Sequence, residues 1–319
     1  MTGIELPRWD ARPGDAERGI ATIDAWAAGL VASGLLQVFG ADAPARTGAD
    51  LLDFLDRFSS KHWDFRAGRE RNLALAPLLS PAQLAAIRAS VGPLGLDGTP
   101  RPRRSEYDAV VMTGGMVRAG IVKPRYLREL TDAGLGWREA VFLGAFRPFA
   151  GDEHDLAVRL GVDGDNEFDA MTTGMRQAFT PVGEPMIEEH SSPRGYASWR
   201  VETWGMGEAV LRVVAAPSSD PRARRANTVD TYRFWAGRAA SVSSVLVITT
   251  PVYVPYQGAG AIEVLGLEYG FSVETVAVSN SASDLGENSQ LFQPHHRLQE
   301  LRSAIRGLRS LRSRLVVAQ

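Results

Sequence analysis

The sequence contains no cysteine. Disulfides, thiolate metal centres, iron–sulfur clusters and cysteine nucleophiles are therefore excluded. Lysine is nearly absent: Lys61 and Lys123 are the only two, and arginine supplies the rest of the basic charge. Together with abundant alanine and glycine, this points to a bacterial source with a GC-rich genome. No apolar run approaches the roughly 18 residues of a membrane span. The opening "MTGIELPRWDARPGDAERG" also lacks the apolar core of a signal peptide. No excess of charge marks a nucleic-acid surface, because the formal net charge is −2. These absences predict a cytoplasmic protein with no nucleic-acid and no membrane partner.

What is present is ordinary globular composition: 319 residues, 45% hydrophobic and 23% charged. That suffices for one large domain or two small ones. Ile20, Ile23, Trp26, Ala27, Leu30, Val31 and Leu35 recur at helical spacing. Further helices are predicted near 48–59 and 80–91, the latter opening "SPAQLAAIRASV" with a Ser cap and Pro in the first turn. Residues 1–100 thus read as a helical N-terminal region, closed by the Pro- and Arg-rich linker "LGLDGTPRPRRSE".

From there short apolar runs alternate with helical stretches: "YDAVVMTGG", "EAVFLGAF", "GEAVLRVVAAP", "SSVLVITTP" and "FSVETVAV". This is the grammar of βα units. Residues 101–319 are predicted to form a Rossmann-like α/β domain, a mostly parallel sheet with helices on both faces. An insertion is expected near 165–205. A long C-terminal helix, "HHRLQELRSAIRGLRSLRSRLV", should bury its leucines and leave its arginines as a solvated face. His295 and His296, at its start, read as capping or surface residues.

Ligands of such sheets bind beyond the strand carboxyl ends, where strand order reverses. Thr113, Gly114 and Gly115 end the first strand, and their amides could approach a phosphate or carboxylate; a plain tight turn is the alternative. In "APSSDPRARRANT", Ser218, Arg224, Arg225, Asn227 and Thr228 combine a helix cap with guanidinium groups suited to an anion. The alternative is a cap beside solvated arginines. Thr250, Tyr253 and Tyr256 offer hydroxyls and stacking surfaces, or a loop packed on the core. Glu153 is a candidate general base or ribose ligand and His154 a candidate proton shuttle, although acids also favour a helix's first turn for its dipole alone. Glu167 and Asp169, in "DGDNEFDAM", are further catalytic candidates; this run lacks the downstream glutamate of a calcium loop. No H-x-x-x-H or H-E-x-x-H spacing occurs, so no metal site is expected.

Four stretches in order, "YDAVVMTGG", "VFLGAFRPFAGDEHDLAVRLGV", "RRANTVDTYRF" and "VLVITTPVYVPYQGAGAIEVLG", resemble the DUF218 superfamily, the SanA/YdcF-like proteins, over roughly 106–280. Tyr253, Tyr256 and Gln257 stand where that family has His and Arg. The resemblance implies a Rossmann-like core and, as in some relatives, a nucleotide-like ligand such as S-adenosylmethionine. It implies no reaction. The expected function is a cytoplasmic small-molecule enzyme, a transferase or hydrolase, that binds a nucleotide or adenosyl-type anionic ligand at the strand ends. The alternatives are a non-catalytic ligand-binding or regulatory protein using the same crevice, or a homo-oligomeric interaction scaffold.

Overall fold

The computed structural model describes residues 4–42, 45–65, 77–98, 101–223 and 225–318. Helices α1 (Asp15–Ala32), α2 (Gly48–His62) and α3 (Pro81–Val91) come first. Strand β1 (Glu106–Thr113), α4 (Val117–Asp132) and β2 (Gly136–Gly144) follow. Next are α5 (Glu153–Arg159), α6 (Glu167–Phe179), β3 (Met186–His190), β4 (Trp199–Met206) and β5 (Ala209–Ala215). The chain then runs through α7 (Thr228–Ala236), β6 (Ser244–Thr249), α8 (Val254–Ala261) and β7 (Ser272–Ala277). It ends with α9 (Asn280–Ser283) and α10 (Pro294–Val317).

Two compact units divide these elements. One comprises residues 1–99, 251–263 and 291–319, and the other residues 100–250 and 264–290. In the helical unit, α10 packs against α1, α2, α3 and α8. Leu301, Ile305, Leu308 and Leu311 of α10 are fully buried, as are Ile23, Trp26, Leu52 and Leu55. None of the arginines of α10 is buried, and Arg306, Arg309 and Arg314 are exposed, as expected of a solvated face; others reach carboxylates on neighbouring segments. Arg312 pairs with Asp24 at 2.7 Å, Arg297 with Asp97 at 2.6 Å and Arg302 with Asp64 at 3.1 Å. At the start of α3, Ser80 and Gln83 complete a capping box with Pro81 in the first turn.

The second unit is α/β, with one seven-stranded sheet in the order β3-β4-β5-β2-β1-β6-β7. The five strands β5-β2-β1-β6-β7 are parallel, and β4 and β3 add an antiparallel edge. Side chains alternate across the sheet. On one face Val110, Met112, Phe142 and Ile248 pack with Tyr126 and Leu127 of α4 and Met171 and Met175 of α6. On the other, Trp235 of α7 donates its indole N–H to Glu139 of β2 at 3.0 Å. Helices therefore cover both faces. The predicted insertion contains α6 and the pair β3–β4, strands that the sequence pattern did not announce.

β1 continues by way of α4 to β2 on one side, whereas β6 lies on its other side. Strand order reverses between β1 and β6, and the crevice beyond their carboxyl ends is where a ligand is expected. Thr113 and Thr249 mark it, with hydroxyl oxygens 3.3 Å apart. Two glycines bring α6 to this end. A Cβ on Gly174 would lie 1.9 Å from the Gly120 carbonyl oxygen of α4. That carbonyl faces a position where Pro124 has no N–H to offer, so α6 approaches unusually closely.

Candidate functional site

The turn after β1 is built by glycine because nothing larger fits. A Cβ on Gly114 would stand 2.9 Å from the Leu143 carbonyl and 2.8 Å from a Glu167 carboxyl oxygen. Lys123, on the second turn of α4, reaches back beneath it and is 1% exposed. Its ammonium donates to the Thr113 carbonyl, to the Thr113 hydroxyl at 2.9 Å and to the Gly114 carbonyl at 3.3 Å. A buried lysine thus fixes the turn that faces the crevice.

Past β2, Arg147 is almost wholly buried and meets Glu153, the first residue of α5, through two hydrogen bonds of 2.8 Å. A third contact runs from Arg147 to the Gly115 carbonyl at 3.3 Å. Glu153 also accepts the amides of Ala150 at 3.0 Å and Val117 at 3.3 Å. Burial on its own would raise this carboxyl. The hydrogen bonds and charge of Arg147, helped by the two amides, outweigh it and hold Glu153 below the ordinary glutamate value.

Glu167 has the opposite bias. It opens α6, whose cap is a reciprocal box between Asn166 and Asp169. Its own N–H donates to the Arg147 carbonyl at 2.8 Å, pinning α6 to the loop after β2. Its carboxyl accepts the Gly115 amide at 2.5 Å and the Ala145 amide at 3.2 Å. Burial dominates and raises its pKa, against the opposing charges of Arg147 and Arg225 and the two amides. Two neighbouring carboxyls around one guanidinium are therefore pushed apart, Glu153 towards the ion and Glu167 towards the acid. Such a divergence is how one site keeps a fixed charge and a transferable proton together. Glu153, already holding four donors, fixes Arg147, whereas Glu167 accepts one backbone amide on each carboxyl oxygen.

With this geometry in place, comparison with known proteins is informative about kinship. Residues 8–95 match the sequence model of the Rv3785 N-terminal domain. The chain is 29% identical over 322 residues to the Rv3785 protein of Mycobacterium tuberculosis (strain H37Rv), covering 92% of this chain and 89% of that protein. The Mb3814 protein of Mycobacterium bovis matches with the same identity and coverage. No solved structure matches. These findings overturn the resemblance to the DUF218, SanA/YdcF-like proteins. The motifs that suggested it, a glycine turn, an asparagine cap and strands ending in threonine, are what parallel α/β sheets in general require. The domain model that does match covers residues 8–95, within the helical region left out by that resemblance.

Among the expected site residues, Thr113, Gly114, Gly115, Glu153 and Glu167 come together at the ends of β1 and β2. Asp169 is engaged in the capping box of α6, accepting the Asp165 amide at 2.9 Å. His154 is exposed on α5 and stacks edge-on with Phe149. Ser218 closes its own loop by accepting the Asp220 amide at 3.2 Å. Asn227 caps α7 in a box with Asp230, placing Thr228 in the first turn. Arg225 is exposed, and its charge reaches Glu167. Arg224 lies outside the described residues. Thr250 ends the α/β unit's segment after β6. Tyr253 and Tyr256 belong to the helical unit, where Tyr253 packs edge-on with Phe292 and Tyr256 lies against Gly307 of α10. Sequence reasoning missed Lys123 and Arg147. The rarity of lysine was the one signal for the first. The second had only its place six residues before Glu153. Among the described residues, no group of three or more His, Asp or Glu side chains could hold a metal ion. Nor is any described helix long and apolar enough to cross a membrane.

Proposed function

We propose that the chain is a cytoplasmic small-molecule enzyme, a transferase or hydrolase, acting on an anionic ligand of nucleotide or adenosyl type in the crevice beyond β1 and β2. The observation that carries this reading is the buried cluster of Arg147, Glu153 and Glu167 around the Gly115 turn, whose two carboxyls are biased in opposite directions. In it, Glu167 exchanges a proton with the ligand, Arg147 and the Gly115 turn shape the pocket, and Arg225 contacts the anion from the rim.

A thermal-shift panel of S-adenosylmethionine, S-adenosylhomocysteine, ATP, NAD and nucleotide sugars tests it. A true ligand at a hundred times its dissociation constant stabilises the fold by about 2.7 kcal/mol. Arg225→Ala should weaken that binding, and Glu167→Gln should retain binding while stopping turnover of the ligand. Silence across the panel would remove the nucleotide class.

A second reading is a ligand-binding or regulatory protein without turnover. It is favoured by the saturation of the Glu153 carboxylate, which leaves one carboxyl rather than two for chemistry. A ligand that binds tightly and is recovered unchanged after long incubation would decide for it.

A further inference from the structure

The Pro- and Arg-rich linker has no part in the site above, yet it lines the wall of a separate cleft. Arg101, Arg103 and Arg104 line that cleft together with Tyr126 and Glu129 of α4, around a space of about 410 Å³. Leu130 and Leu135 contribute apolar surface, and Ser279 and Ser281 are also among the lining residues. The linker leads into the amino end of β1, a strand of eight residues. At about 3.3 Å per residue, it stands some 23 Å from the glycine turn.

Its charges are unevenly matched. Glu274 takes up Arg103, accepting its backbone amide at 3.0 Å with the guanidinium at 3.5 Å, and also accepts the Tyr107 hydroxyl at 2.6 Å. Arg104 donates to the Ser272 hydroxyl at 3.0 Å. Glu129, also on the wall of the cleft, accepts the hydroxyls of Ser279 at 2.8 Å and Ser281 at 3.2 Å on one carboxyl oxygen. Arg101 has no ion pair or hydrogen bond among the described residues. The cleft therefore joins an uncommitted guanidinium to an aromatic and aliphatic lining, in a volume typical of small-molecule sites.

We propose that this cleft binds a small organic anion, a phosphate ester or carboxylate on an apolar body, with Arg101 as its principal anion contact. The site is independent of the strand-end crevice. Guanidinium bonds to phosphate or carboxylate are charge-assisted and directional, and the apolar lining takes the rest of the ligand.

Titration of the full chain with phenyl phosphate, followed by calorimetry and repeated with benzylamine, tests the proposal. Phenyl phosphate should bind saturably with a dissociation constant below about 1 mM, and added salt should weaken it. Arg101→Ala should lower the affinity at least about tenfold, whereas Arg225→Ala, at the other site, should leave it unchanged. Arg101 is exposed, so its replacement leaves folding intact; an unchanged melting temperature verifies this. Preference for benzylamine, indifference to Arg101→Ala, or absence of saturable phenyl phosphate binding would each overturn the assignment. Loss through Arg225→Ala instead would return the anion to the strand-end crevice and likewise overturn it.

Discussion

Arg147 holds Glu153 by two parallel hydrogen bonds of 2.8 Å, with the carboxylate side chain 1% exposed and the guanidinium 11% exposed. A charge pair taken this far out of water is a demand on both partners more than a gain for either. Removing one strands the other. Glu153→Ala should therefore cost about 3–5 kcal/mol in urea unfolding. The double substitution Arg147→Met with Glu153→Leu should recover much of that loss. Equal instability in the double variant would mean that Arg147 is needed for its contact with the Gly115 carbonyl as well. The same reasoning makes Glu153 a poor probe of catalysis, because its loss confounds folding with turnover.

Glu167 predicts a pH signature of opposite sign. Its folded pKa is raised above the ordinary value of 4.5, so the folded protein binds the proton more tightly than the unfolded chain does. The stability it contributes is fully present below the unfolded value and is lost as pH rises through the folded one. Glu153, with its folded value depressed, behaves in reverse: its contribution is present above the unfolded value and disappears as pH falls through the folded one. Unfolding free energy followed upward from about pH 4.5 should show a decline that Glu167→Gln flattens. An identical profile in wild type and variant would show that Glu167 has an ordinary pKa in the fold.

How much of this was legible beforehand depends on where each residue's reason lies. β1, β2 and β6 were readable because parallel strands buried on both faces become short unbroken apolar runs, as in "DAVVMT". β3 was not, because all five residues of "MIEEH" are exposed on the sheet's edge and carry no apolar alternation. Glu167 was visible as an acid in a capping turn. Its carboxyl lies against Gly114 and Gly144, and its helix meets α4 where Gly174 approaches Gly120, 54 residues away in sequence; no local pattern encodes these contacts. Lys123 and Arg147 escaped for the same reason: their partners are backbone carbonyls and a carboxylate chosen by the tertiary fold.

That approach is itself testable. An alanine at Gly174 would drive its methyl group into backbone, 1.9 Å from the Gly120 oxygen and 2.8 Å from the Gly120 carbonyl carbon. Neither atom belongs to a flexible side chain, so α6 must move away from α4. Gly174→Ala should destabilise by at least about 1–3 kcal/mol. It should also lower the raised pKa of Glu167 as water enters. Gly205, on β4, has nothing within 4 Å of the place a methyl group would take, and Gly205→Ala should be close to neutral. Comparable losses in the two variants would show that close helix packing does not shape the site.

The rarity of lysine makes Lys123 a clean chemical probe of the glycine turn. Lys61 is exposed on α2, whereas Lys123 is 1% exposed with its ammonium on Thr113 and Gly114. An amine-reactive ester acts on the free, unprotonated amine and needs access to it. In native protein it should modify Lys61 and spare Lys123, and in denaturant it should modify both, as peptide mass spectrometry would record. Lys123→Met keeps the aliphatic length but leaves the Thr113 and Gly114 carbonyls without this donor, an expected cost of about 1–3 kcal/mol. If the lysine serves to hold the glycine turn, the same variant should weaken strand-end ligand binding while leaving phenyl phosphate binding at the Arg101 cleft intact. Rapid native labelling of Lys123 would instead place its amine in water and dissolve its role as the strut beneath the crevice.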